Sequence, residues 1–253
     1  MSDKKAVLAV GAHPDDVEFL CAGTLALLKE KGWEIHIATL TAGDKGSVKH
    51  TSAEIAAIRK NEAAQSAKIL DAGYDCLDGE DMFLMYNKEF IIRLTKLIRR
   101  VRPKLVLNMS PTDYHPDHET SSRLTITSCF AAGIKLLQTD DVEPYYEIPH
   151  LYYMDTLDGR DNFGNPIKPG IIVDISSTID IKEKMLACHS SQRDWLREHH
   201  GVDEYIITMK NISELRGKMI NGGYGEGFRQ HLGHAFPQDD ILKEELRDLV
   251  HTI

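Results

Sequence analysis

Apolar and polar positions along the first third of the chain fall into alternating blocks of two kinds. Ala6 to Val10 is an unbroken apolar run that stops at Gly11, the pattern of a parallel strand buried on both faces. From Asp16 to Lys31 the apolar residues Val17, Leu20, Leu25, Leu27 and Leu28 recur at roughly helical spacing, and Gly32 follows as a stop. Glu34 to Leu40 repeats the strand pattern, Thr41 to Ser47 is a loop, and Thr51 to Asp71 predicts a long helix closed near Gly73. A helix over about Lys88 to Arg102 is cut by Pro103, and the strand Lys104 to Met109 empties into the polar loop Ser110 to His118. Beyond it the pattern predicts helices at Glu119 to Leu137 and Ile179 to His199, with strands at His150 to Met154 and Gly170 to Ile175.

Strand and helix alternating through short connections predict an α/β fold, a mostly parallel sheet with helices on both faces. With no internal repeat and no linker-like stretch, residues 1–253 read as one domain with a helical C-terminal part from about Asp203. The tail segment Leu242 to Leu249 is amphipathic and reads as ordinary packing. In open parallel sheets, ligands bind outside the carboxyl ends of the strands. Two polar loops here follow directly on such ends.

Charge narrows the partners. A formal net charge of −9 disfavours nucleic acid and anionic lipid and leaves a small molecule as the expected ligand. The N-terminus has the pattern of neither a signal peptide nor a membrane span, so the cytoplasm is the expected compartment. Four scattered cysteines without a CxxC pair exclude a disulfide framework and a cysteine zinc site from the expectations.

The two loops hold the chemistry. Ala12-His13-Pro14-Asp15-Asp16 places His13 and Asp16 three apart at a helix start, where Pro14 suits the first turn. His115-Pro116-Asp117-His118 repeats the same residue types at a second strand end. A catalytic zinc takes three ligands from His, Asp and Glu, and His13, Asp16 and His118 supply that set. Asp15 and His115 then remain as a base and an acid, although the same donors also suit non-haem iron. Taken singly, Asp15 or Asp16 is more ordinarily a helix cap, and each histidine a hydrogen-bonded surface group. The recurrence of the pattern at two strand ends favours a metal site.

These residues resemble the PIG-L/LmbE-like zinc deacetylase family. AVGAHPDDVEFLCAGTLALL is similar to its opening signature and HPDH to its second. TAGDKGS, the Arg59-x-x-Glu62 helix, DISSTIDIKEKMLACHSSQ from Asp174 and the Glu226-x-Phe228 segment extend the likeness from about Val7 to Phe228. The chain departs from the family at Ala22, where glycine is usual, and at Asp44, where glutamate is usual.

The resemblance implies a Rossmann-like fold and a mononuclear zinc ion, held by His13, Asp16 and His118, for hydrolysis of N-acetylglucosamine-type amides. It makes Asp15 the general base and His115 the group that protonates the product or stabilises the oxyanion, with Asp117 orienting His115 or favouring its charged form. Arg59, Asp44 and Tyr114 are the substrate-binding candidates. Without the family, Arg59 would read as part of a solvated helix face, and His189 receives no role. A homo-oligomer such as a hexamer is also implied. Two rival functions remain: an amidase for a larger acyl group on an amino-sugar conjugate, and a non-catalytic, metal-containing sugar-binding protein.

Overall fold

A computed structural model describes residues 5–140, 142–193 and 204–253. One eight-stranded sheet, ordered β3-β2-β1-β4-β5-β7-β6-β8, forms the centre. Its strands are β1 (Ala6–Gly11), β2 (Glu34–Thr41), β3 (Gly73–Gly79), β4 (Leu105–Asn108), β5 (His150–Met154), β6 (Ile171–Asp174), β7 (Gly225–Gln230) and β8 (Val250–Thr252). The first five are parallel, and β7, β6 and β8 extend the sheet in antiparallel fashion. The helices are α1 (Asp16–Glu30), α2 (Ser52–Ile69), α3 (Lys88–Val101), α4 (Pro116–Ala131), α5 (Ile179–Ala187), α6 (Glu204–Met219) and α7 (Ile241–Leu246). The α/β, mostly parallel, Rossmann-like expectation is met.

The pleat of β1 shows why its apolar run is continuous. Val7 and Ala9 pack into the core on one face with Leu25, Leu28 and Ile35, while Leu8 and Val10 pack on the other with Leu40, Leu94 and Ile98. A second tie lies at the far end of the chain. The buried Glu226 carboxylate accepts the amides of Gly23 and Thr24, the Thr24 hydroxyl and the Lys182 ammonium at 2.6 Å, so β7 and α5 are fastened to α1. Those donors satisfy a charge pair that would otherwise be costly to bury.

Several boundaries and strands differ from expectation. The helix expected from Glu119 starts at Pro116, with His115 as its N-cap, because proline needs no amide partner in the first turn. It stops at Ala131, where the buried Arg99 guanidinium gathers the carbonyls of Ala132, Ile134 and Leu137. The helix expected over Ile179 to His199 closes at Ala187, and His189 is non-helical. Its expected far end and the boundary near Asp203 lie outside the described residues. Strands β3, β7 and β8 were not anticipated.

Topology positions the site. Chain order reverses between β1 and β4, which makes their carboxyl ends the switch point of the sheet. The loop after β1 carries His13 to Asp16, and the loop after β4 leads to His115 and His118. Gly11 lets the first of these loops fold back tightly, since a Cβ there would stand 2.9 Å from Asp16 Cβ.

Candidate metal centre and active site

Asp16 is the hinge of the centre. Its Oδ2 accepts the amides of Ala12 and His13, each at 2.8 Å, which folds the loop onto the start of α1. The same carboxylate faces two imidazoles, with Oδ2 3.6 Å from His13 Nδ1 and Oδ1 3.3 Å from His118 Nε2. Each ring is held from behind by another acid. His13 Nε2 lies 3.2 Å from Asp117 Oδ2, and His118 Nδ1 lies 3.0 Å from Asp113 Oδ1. A carboxylate behind a ligand histidine fixes its tautomer and raises its basicity. The Asp16 carboxylate thus lies beside both rings, each already oriented from outside.

The electrostatics match this arrangement. Burial opposes the charged form of His13, but hydrogen bonds to Asp117 and Asp16 outweigh it and push the imidazole up to about 9. Burial is likewise outweighed at His118 by the charge of Asp16 and the bond to Asp113, reaching about 10. Asp16 is held well below the usual carboxylate range: burial opposes this, but the His118 charge and the two imidazole bonds prevail.

His115 also stands in the cluster, since one nitrogen from each of His13, His115 and His118 lies within 4.8 Å of the others. Its Nδ1, however, accepts the Asp117 amide at 3.2 Å. A neutral imidazole that accepts at Nδ1 carries its proton at Nε2, which makes Nε2 a donor rather than a lone pair for a metal. Burial and the charges of His13 and His118 push His115 below its ordinary value, although the Asp117 charge pulls the other way. The Asp117 carboxylate is hydrogen-bonded to His13 and to the Met82 amide, and its own amide orients the His115 ring.

Asp15 occupies the N-cap position of α1 but makes no capping bond. Its backbone is left-handed, with φ of 108°, a conformation that costs energy for a residue other than glycine. Its Oδ2 accepts the Tyr205 hydroxyl at 2.6 Å and Arg59 Nη2 at 3.2 Å. Arg59 Nη2 also bonds the Pro14 carbonyl at 2.6 Å, which secures the strained turn. Burial raises the Asp15 carboxyl above its ordinary value although the Arg59 charge pulls the other way. The solvated-face reading of Arg59 is overturned: the side chain is buried and bonds to Pro14, Asp15 and Gly43.

Asp44 lies apart from the imidazoles. Its Oδ1 accepts the Asp81 amide at 2.8 Å and its Oδ2 meets Lys45 Nζ at 2.6 Å, so one oxygen ties the loop after β2 to the loop after β3 and the other bonds its neighbour. Tyr114 is 57% exposed and stands edge-on to His115 and His118, with ring centroids 5.9 and 5.6 Å away. It lines a cavity of about 290 Å³ together with His118, Asp15 and Asp16. Phe19, Leu20, Leu157 and Tyr205 line it as well. Two residues that matter, Asp113 and Tyr205, escaped the sequence reading. The first lies two positions before His115; the second comes from α6, 190 residues from Asp15.

Fold and site together define a class: a Rossmann-like α/β protein with a cluster of histidines and carboxylates at the switch point, able to hold a metal, and the buried Asp15 beside it. Comparison with known proteins makes the class specific. The family model for PIG-L, GlcNAc-PI de-N-acetylase, matches residues 8–129, and the chain belongs to this family. It is 29% identical over 243 residues to the diacetylchitobiose deacetylase of Thermococcus kodakarensis, covering 90% of this chain and 84% of that one. It is also 27% identical over 243 residues to the 4-oxalmesaconate hydratase of Pseudomonas putida, covering 93% and 91%. Among solved structures, the N,N'-diacetylchitobiose deacetylase of Pyrococcus horikoshii superposes with a TM-score of 0.78 at 28% identity, covering 94% of this chain and 89% of that one.

Proposed function

We propose that this protein is a zinc-dependent N-deacetylase that hydrolyses the acetamide of a small N-acetylglucosamine-type substrate. The observation that carries the reading is the placement of Asp15 beside Asp16 and His118 in the wall of the cavity, with Tyr205 and Arg59 both bonded to its Oδ2. His13, Asp16 and His118 suit zinc by donor chemistry and by their outer carboxylates. Bound there, zinc supplies Lewis acidity that polarises the acyl carbonyl and makes hydroxide available near neutral pH.

The chain's own groups account for the proton movements. Asp15 Oδ1 takes a proton as water oxygen bonds to the acyl carbon. His115 Nε2–H donates to the carbonyl oxygen as negative charge develops on it. The carbon–nitrogen bond then breaks as the proton held by Asp15 passes to the departing nitrogen, and the carboxylic acid so formed gives its proton to the amine, so that a carboxylate and an ammonium leave. A carboxyl raised by burial suits a base working near neutrality.

Relatives over nearly the full chain carry out both deacetylation and hydration. The cavity favours the former. Asp15, Asp16 and Glu204 line it, and no lysine or arginine does among the described residues. An anionic substrate such as an oxalmesaconate would meet like charge there, whereas a neutral acetamide would not. The sequence pattern adds a single domain and a cytoplasmic setting, and the resemblance adds a homo-oligomer such as a hexamer. None of the described helices is long and apolar enough to cross a membrane.

The test is a panel of N-acetylglucosamine derivatives and 4-oxalmesaconate, offered separately to zinc-loaded protein. Amine release from the sugars supports the proposal. Hydration of oxalmesaconate without amine release would replace it, and zinc binding with neither reaction would favour a non-catalytic sugar-binding role.

A further inference from the structure

The four residues His189, Ser190, Ser191 and Gln192 take no part in the chemistry above, yet each bonds to an element that does. The buried His189 faces Glu18 in the first turn of α1, with Nε2 3.2 Å from Oε1. The Ser190 hydroxyl and the Ser191 amide donate to Oε1 of the buried Glu62 at 2.7 and 2.8 Å, and the Ser191 hydroxyl donates to its Oε2 at 2.7 Å. Gln192 Nε2 donates to the Gly46 carbonyl at 2.9 Å. The segment 189–192 thus joins α1, which begins beside Asp15, to α2, which carries Arg59, and to the loop after β2, whose Gly43 carbonyl accepts from Arg59 Nη1 at 3.4 Å.

Glu62 and Arg59 are one helical turn apart and both belong to the buried face of α2. Three hydrogen bonds on the Glu62 carboxylate fix that turn, and the guanidinium leaves it to reach Pro14 and Asp15. Gln192 holds Gly46 close against the other side of the same group. A Cβ on Gly46 would stand 2.6 Å from Arg59 Nη1 and 3.0 Å from Gln192 Nε2. The guanidinium therefore sits between a helix turn that Glu62 anchors and a loop that Gln192 pins.

We propose that Glu62 is a positioning residue for the reaction: clasped by segment 189–192, it sets Arg59 so that Nη2 meets Asp15, and its effect on turnover passes through Arg59. The inference rests on the deacetylase reading above. It joins two stretches of sequence, the Arg59-x-x-Glu62 helix and the His-Ser-Ser-Gln segment, into one device. Misplacing a positioned group by about 1 Å costs up to ~10²-fold in rate, so a clasp this far from the acyl carbon still reaches the chemistry.

The experiment is a double-mutant cycle of Glu62→Ala and Arg59→Ala, reading kcat, KM and zinc content of zinc-loaded protein on one N-acetylglucosamine derivative, with the thermal midpoint as a folding control. NMR of the arginine Nε–H signals gives a readout independent of turnover, with Arg59 assigned by its absence in Arg59→Ala. Gln192→Ala removes the second hold without altering α2, and carries the test if Glu62→Ala does not fold. The expected result is a kcat lowered roughly 10- to 100-fold by Glu62→Ala, with KM and zinc content little changed and the Arg59 signal displaced. In the Arg59→Ala background the same substitution should change kcat by less than about twofold, because the path it acts through is gone. A loss as large without Arg59 as with it makes Glu62 a merely structural residue and overturns the proposal. Wild-type kcat in folded Glu62→Ala, or in Gln192→Ala where that variant carries the test, overturns it too. Turnover by none of the proteins overturns the deacetylase reading instead. The NMR then judges the clasp alone: a displaced Arg59 signal upholds it, and an unmoved one overturns it.

Discussion

Asp113 makes the sharpest test of how the centre is built, because it touches the proposed metal only through His118. It is 3% exposed, and its Oδ1 is both 3.0 Å from His118 Nδ1 and the acceptor for the His115 amide at 3.1 Å. Asp113→Asn preserves volume and an accepting oxygen, so the change removes charge with little change of shape. Without that charge the His118 ring is a weaker base and its tautomer is less firmly set. Loss of such an outer partner costs about 10- to 100-fold in metal affinity, or roughly 1.4–2.8 kcal/mol. The assay is competition for zinc between protein and a chelator of known affinity, with the thermal midpoint of the zinc-free variant as a folding control. A zinc affinity within threefold of wild type, in a folded variant, would refute the claim that Asp113 holds the ligand in place.

Three further outcomes follow from the same geometry. Asp15→Asn should lower turnover by ~10²–10⁴-fold while zinc stays bound, as loss of a general base does; wild-type turnover at full zinc content would remove Asp15 from that role. Tyr205→Phe keeps the ring against Phe19 and deletes only the bond to Asp15, so kcat should fall roughly 10- to 100-fold with zinc content unchanged. Full activity would mean that Arg59 alone positions the base. In zinc-free protein the folded His13 and His118 are raised to about 9 and about 10, so they hold protons that the unfolded chain releases near 6.5. The stability they lend is complete below about 6.5 and lost as pH climbs through 9 to 10. Calorimetric scans of chelator-treated protein should show the midpoint falling across that window; a flat or rising midpoint would contradict the assigned partners.

Much of this was legible because the chemistry sits in short segments at strand ends. His13 and Asp16 are three apart, His115 and His118 likewise, and a buried apolar run precedes each pair, so topology had only to bring two loops together. Arg59 misleads because helical neighbours such as Lys60 and Glu62 suggest a wet face, while the α2 turn that carries it is buried against Pro14 and Gly43. β3 lies at the sheet edge and reads Gly-Tyr-Asp-Cys-Leu-Asp-Gly, too polar to announce a strand. β7 is hidden for the opposite reason: Gly225 and Gly227 allow close backbone approach without apolar side chains. Tyr205 belongs to the site only through packing of α6, which no local pattern records. The protonation of His115 depends on which nitrogen the Asp117 amide addresses, a fact of three-dimensional geometry alone.

The central claim is that one metal and one carboxylate act together to hydrolyse an acetamide. The most direct measurement pairs metal content with acetate and amine release for wild type, Asp15→Asn and His118→Ala on the same N-acetylglucosamine conjugate. The account predicts equimolar acetate and amine from the wild type with one zinc per chain, zinc without turnover in Asp15→Asn, and neither zinc nor turnover in His118→Ala. Sustained acetate release by His118→Ala without bound metal would contradict it.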